Sequence, residues 1–148
     1  MKKGSSDKLL LDVNVLLALA WPNHQFHPAV LGRLERSREP WATCALTQLG
    51  FIRLSSNPAV VGVSKSPAEA AALLRSVVED PFHVYLESLP APSHAPVIAC
   101  FARILGSKQV TDAYLLRLAQ HHGATLMSFD RRLQAMAEAD GQVEILTA

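Results

Sequence analysis

The sequence has 148 residues, 49% of them hydrophobic, and 14 Lys and Arg against 13 Asp and Glu leave a net charge of +1. That size and apolar content suit one domain, residues 1–148, with one buried core, and exclude a disordered polyelectrolyte. No apolar run approaches the roughly 18–20 residues of a membrane span, so no membrane role is expected.

Met1-Lys2-Lys3 is positive, but the apolar stretch beyond it carries Asp12 and Asn14 and lacks a small-residue cleavage site. That argues against a signal peptide. Residues 1–7, with Gly4-Ser5-Ser6, read as a flexible lead-in. Cys44 and Cys100 lie in apolar surroundings without metal-type spacing, so both read as reduced core residues of a cytoplasmic protein.

Lys8–Val13 is a short apolar run and predicts a buried strand, with a short helix over Val15–Ala20 stopped by Trp21-Pro22-Asn23. The spacing of Phe26, Val30 and Leu34 predicts a helix over His24–Arg38, ended ahead of Pro40. Trp41–Cys44 reads as a strand and Leu46–Leu54 as a helix, closed by Ser55-Ser56-Asn57-Pro58. Ser66, Pro67 and Glu69 form a capping-box start for a helix to about Val78. Phe82–Leu86 is a strand, Leu89–Pro96 is irregular, and Val97–Leu105 and Gln109–His122 are helices. Thr125–Met127 is a strand, Asp130–Ala139 a helix capped by Asp130, and Val143–Leu146 a last strand. Strands alternating with helices predict an α/β fold: a three-layer α/β/α sandwich with a short, mostly parallel central sheet.

In such sheets, functional side chains collect where strands end. Asp12 closes the first strand, Asp130 follows the strand Thr125–Met127, and Asp112 lies in the first turn of the helix before it. Three carboxylates in one cleft repel one another, and a hard cation such as Mg²⁺ or Mn²⁺ relieves that repulsion. Such an ion serves phosphodiester hydrolysis. Ordinary roles stand beside this reading: Asp130 as a helix cap, Asp112 as an acid favoured by the helix dipole. An acid closing an apolar strand, as Asp12 does, is harder to explain without a cleft or a partner.

Leu10-Leu11-Asp12-Val13-Asn14-Val15-Leu16, Val110-Thr111-Asp112-Ala113-Tyr114-Leu115 and Leu126-Met127-Ser128-Phe129-Asp130-Arg131 together resemble, in order and spacing, the acidic motifs of PIN domains. Asn23-His24-Gln25-Phe26-His27 and Leu46-Thr47-Gln48-Leu49-Gly50-Phe51-Ile52-Arg53 resemble the VapC-type toxins of bacterial toxin–antitoxin pairs. The resemblance implies an endoribonuclease that uses Mg²⁺ or Mn²⁺, forms a homodimer and is silenced by a cognate antitoxin. It also implies that Asp12, Asp112 and Asp130 hold the metal.

One motif departs from the family. Where a glutamate usually stands between Thr47 and Arg53, this sequence has Gly50. Three carboxylates are expected instead of four, which leaves the number of metal ions open. Gln48 is near but neutral, and on a helix it lies elsewhere on the face.

Asn14 and Ser128 are candidate supports of the site, the first on the same face as Asp12 if the strand continues; a helix cap and a turn explain them equally. Arg53, Lys108 and Arg131 are candidate phosphate contacts. His24 and His27, three apart, lack further partners for zinc and read as lining an entrance. His121-His122-Gly123 reads as a helix end. Trp21 and Phe26 can stack on bases or pack in the core. Two rival functions remain. One is a haloacid-dehalogenase-like phosphotransferase with Asp12 as nucleophile, against which Asn14 stands where a second aspartate belongs. The other is a non-catalytic RNA- or protein-binding module on the same fold.

Overall fold

The computed structural model describes residues 8–147; the expected lead-in at residues 1–7 lies outside them. Five strands make one sheet: β1 (Leu9–Leu11), β2 (Trp41–Cys44), β3 (His83–Leu86), β4 (Thr125–Ser128) and β5 (Val143–Ile145). Their order is β3-β2-β1-β4-β5. All four pairings are parallel, so the sheet is more uniform than expected. Leu9–Leu11 pair with Thr125–Met127 on one side, and Leu9 and Leu10 with Trp41 and Ala42 on the other.

Parallel neighbours need crossovers, and helices supply them: α1 (Val13–Ala20), α2 (His27–Ser37), α3 (Ala45–Ser55), α4 (Pro58–Val61), α5 (Pro67–Val77), α6 (Ala95–Ile98), α7 (Val110–His121) and α8 (Arg132–Met136). Alternation along the strands splits the core in two. Leu10 and Leu126 pack with Leu115 and Leu118 of α7 and Leu133 of α8. Leu9, Leu11 and Met127 pack with Leu16, Val30, Phe51 and Leu74 of the helices on the opposite face. This is the three-layer sandwich. Among the described residues no helix is long and apolar enough to cross a membrane.

The chain steps from β1 outward through β2 to β3, then returns to place β4 on the other side of β1. The order reverses between β1 and β4, and the crevice at their carboxyl ends is where open α/β sheets bind ligands.

Several boundaries differ from the sequence reading. β1 stops at Leu11, because Asp12 turns to cap α1 with its Oδ1 accepting from Val13 N at 2.8 Å. Asn14 therefore lies on α1, and the same-strand relation with Asp12 does not arise. α2 begins at His27, so His24 sits in the preceding turn, held by its N–H on Trp21 O. Val97–Leu105 is not one helix: α6 ends at Ile98, one 3-10 turn covers Ala99–Phe101, and Leu105 is almost wholly exposed. α8 is shorter than Asp130–Ala139. α4 was not expected; Asn57 Oδ1 caps it from Ala59 N at 3.0 Å, and Gly62, at φ 80°, ends it. Cys44 is a buried thiol as expected, whereas Cys100 is only half-buried.

Candidate active site at the carboxyl edge of the sheet

Asp12 sits at the reversal point with its backbone still in the ladder, N–H to Met127 O at 2.9 Å. One carboxylate oxygen caps α1; the other accepts from the Ser128 hydroxyl at 2.7 Å. Ser128 is the buried last residue of β4. Its Oγ also accepts from Asp130 N at 3.0 Å and stands 3.5 Å from Asn14 Nδ2. One hydroxyl thus joins Asp12, Asn14 and Asp130, linking the two segments that the β1–β4 pairing brings together.

The three carboxylates feel one another. Burial raises the Asp12 pKa above the usual carboxylate value; the Ser128 and Val13 hydrogen bonds oppose the rise, and the charge of Asp130 adds to it. Asp112, in the first turn of α7, is pushed up to about 6, by burial first, then by Asp12 and Asp130, against the pull of Arg132. Asp130 is held low by Arg132. That guanidinium grips both oxygens, Nε at 3.0 and 3.2 Å and Nη2 at 2.8 Å, while Arg132 N donates to Oδ1 at 3.0 Å.

All three predicted aspartates therefore share one field, but with Asp130 clasped by Arg132 they do not converge on a common point. Among the described residues no three acidic, His or Cys side chains are close enough to ligate one ion. The chemistry of the donors nevertheless fits a hard divalent cation. Two carboxylates are destabilised as anions, and Asn14 Oδ1 is buried without a hydrogen-bond partner. The set is all oxygen, as Mg²⁺ and Mn²⁺ prefer.

The other predicted residues fall into place unevenly. Gly50 is buried, and a Cβ there would meet Val13 Cγ2 at 2.8 Å, so the helix carrying it presses against the start of α1. Gln48 turns away, its Nε2 donating to Thr43 Oγ1 at 3.0 Å, and Thr43 Oγ1 lies 2.7 Å from His83 Nε2. Arg53, Lys108 and Arg131 are exposed and form no ion pair among the described residues. Arg132, which was not singled out among the basic residues, reaches the carboxylate of Asp130. The available signal was Asp130 two residues ahead: an Asp that bonds the backbone two positions on forms an Asx turn and brings that residue's side chain back over itself.

His24 and His27 do not form a metal pair. His27 Nδ1 donates to Ala18 O at 2.8 Å, and His24 Nδ1 accepts from Phe26 N at 3.0 Å. Trp21 is packed, its Nε1 on Ser55 Oγ at 3.0 Å, with Lys65 Nζ 5.6 Å from its ring centre. His122 Nε2 lies 2.8 Å from Glu87 O, which fits a helix end.

Comparison with known proteins agrees with this fold. The PIN domain family profile matches residues 9–139. Ribonuclease VapC39 of Mycobacterium tuberculosis is 39% identical over 142 residues, 93% of this chain and 98% of that protein. Ribonuclease VapC38 of the same species is 37% identical over 141 residues, 93% and 97% of the two chains. A crystal structure of VapBC2 from Rickettsia felis, bound to a DNA fragment from its promoter, matches in fold with a TM-score of 0.63 at 11% identity, covering 95% of this chain and 99% of that one. A profile spanning most of the chain, relatives matched nearly end to end and a shared sheet architecture lead to one statement: the chain belongs to the PIN domain family, in its VapC group.

Proposed function

We propose that this chain is a single-domain, metal-dependent endoribonuclease, the toxin of a toxin–antitoxin pair, acting in the cytoplasm as a homodimer until a cognate antitoxin silences it. The observation that carries the proposal is the mutual electrostatic burden of Asp12, Asp112 and Asp130 at the reversal point of the sheet. The family match and the VapC relatives point the same way and do not favour a phosphotransferase.

Asp12, Asp112 and Asp130 would hold Mg²⁺ or Mn²⁺, with Asn14 Oδ1 as the neutral oxygen available beside them. Such a cation, when bound, supplies an activated water and a counter-charge for the phosphate. The chain's own residues do the rest. The Ser128 hydroxyl and Val13 N–H fix both oxygens of Asp12, so its carboxylate is oriented before substrate arrives. Arg132 neutralises Asp130 in the free protein and stands ready to contact the RNA backbone when that carboxylate is engaged. Arg53, Lys108 and Arg131 are further phosphate contacts.

The test is cleavage of RNA by the purified chain with Mg²⁺ or Mn²⁺, against EDTA and against Asp12→Asn. Metal-dependent cleavage lost in the variant supports the proposal; full cleavage by Asp12→Asn overturns it. Gly50 motivates a second reading, a binding module with the same partners, and this predicts RNA binding without cleavage under any metal.

A further inference from the structure

Phe129, the residue before Asp130, belongs to a cluster of rings that the chemistry above does not use. β4 ends at Ser128, whose hydroxyl faces Asp12. Phe129 follows, and its ring packs onto the cluster of Leu11 and Met127. There it meets Phe26, ring centres 4.6 Å apart at 34°, and His24, 6.3 Å away and nearly parallel at 22°. His24 and Phe26 are themselves 5.9 Å apart. All three rings are half-buried, unlike Phe51, which is wholly enclosed. Phe26 and Phe129 pack against the core, and each of the three residues keeps part of its surface exposed.

The histidine in this cluster is oriented by the backbone. Its Nδ1 accepts from Phe26 N at 3.0 Å, so in the neutral ring the proton is on Nε2. Burial, then the charge of His27, lowers its pKa and favours that neutral ring. Three half-buried aromatic rings, tilted 22–39° to one another and beginning one residue from Asp130, offer apolar surface to another flat ring.

We propose that His24, Phe26 and Phe129 form a stacking shelf for an unpaired nucleobase of the RNA, next to the phosphate that the carboxylates address. The inference rests on the ribonuclease reading and names how that site grips its substrate. Bases stack on aromatic side chains irrespective of sequence. The shelf therefore contributes grip and strand placement, with Nε2–H of His24 as a single donor toward the base edge.

The experiment uses the full chain carrying Asp12→Asn and a short randomised single-stranded RNA pool with one central 2-aminopurine, whose fluorescence is quenched on stacking. Quenching is expected in the parent, with about ten-fold weaker binding and lost quenching in Phe129→Leu. Phe129→Trp retains both, and Phe26→Leu gives an intermediate loss. Melting temperatures establish that each variant is folded. Absent quenching in the parent, or equal quenching and affinity in Phe129→Leu and the parent, overturns the shelf. Cleavage by the chain with native Asp12 is followed in parallel with Mn²⁺. No cleavage there overturns the nuclease reading, whereas cleavage with an unchanged KM in Phe129→Leu overturns the shelf alone.

Discussion

Val13 stands where a side chain at position 50 would have to go: a Cβ on Gly50 would lie 2.8 Å from Val13 Cγ2 and 3.4 Å from Cγ1. Val13 is stiff at χ1 and adjoins Asp12, so pressure there is passed to the carboxylate. Gly50→Ala is expected to lose about 1–3 kcal/mol to overpacking, offset in part by about 1 kcal/mol of helix propensity. Adding Val13→Ala should restore much of that loss. Chemical denaturation of both single variants and the double variant checks this; additive effects would exclude the contact.

Ser128→Ala removes the hydroxyl shared by Asp12, Asn14 and Asp130. Asp12 then loses the hydrogen bond that most opposes its raised pKa. The variant should be less stable by about 1–3 kcal/mol, and the acidic limb of its RNA-cleavage profile should move to higher pH. A limb that stays in place would remove Ser128 from the site's electrostatics.

Asp112 titrates near 6 in the fold against 3.8 ordinarily, so between those values the folded state retains a proton that the unfolded chain has released. Stability belonging to the neutral carboxyl is therefore lost as pH rises through that window and stays lost above it. Without divalent ions, Asp112→Asn should melt above the parent at about pH 7.5 and equal to it near pH 4. Discounting for partial exposure, the gain is about 1 kcal/mol. Calorimetry at both pH values decides; a gain only in acid would contradict the sign.

Arg132 and a cation compete for Asp130. Arg132→Gln should tighten Mn²⁺ binding several-fold at low ionic strength, and the difference should shrink in salt. Isothermal titration checks this, and weaker binding in the variant would show that Arg132 supports the metal site.

Arg33 fastens α2 to the edge strand β5 by two bonds to Glu144, at 2.6 and 2.8 Å. Glu39 adds charge at 3.7 Å, beyond hydrogen-bond reach. Arg33→Gln is expected to lose about 1–3 kcal/mol, because it strands a partly covered carboxylate. A denaturant midpoint equal to the parent's would contradict this.

Strands are the most legible elements of this sequence. Trp41–Cys44 is found to the residue, and Thr125–Met127 extends by one to Ser128. Buried parallel strands read as short apolar runs whatever surrounds them. The capping box at Ser66 is equally plain because it is local: Glu69 N reaches Ser66 Oγ at 3.1 Å. Helix ends that depend on packing are not legible, as Val97–Leu105 shows; apolar content there leaves Leu105 in water. At the site, the positions of the three aspartates can be read from their motifs. The clasp of Asp130 by Arg132 depends on how one turn folds back. The placement of Phe129 beside Phe26 joins residues from opposite ends of the chain, and no periodicity encodes it.

The bond between Ser128 and Asp12 spans 116 residues. A growing chain displays Asp12 before it has the hydroxyl that orients it, which waits on β4. Fragments stalled or clipped before that strand carry the first acid without its setting. The site is therefore assembled only after β4 has been synthesised.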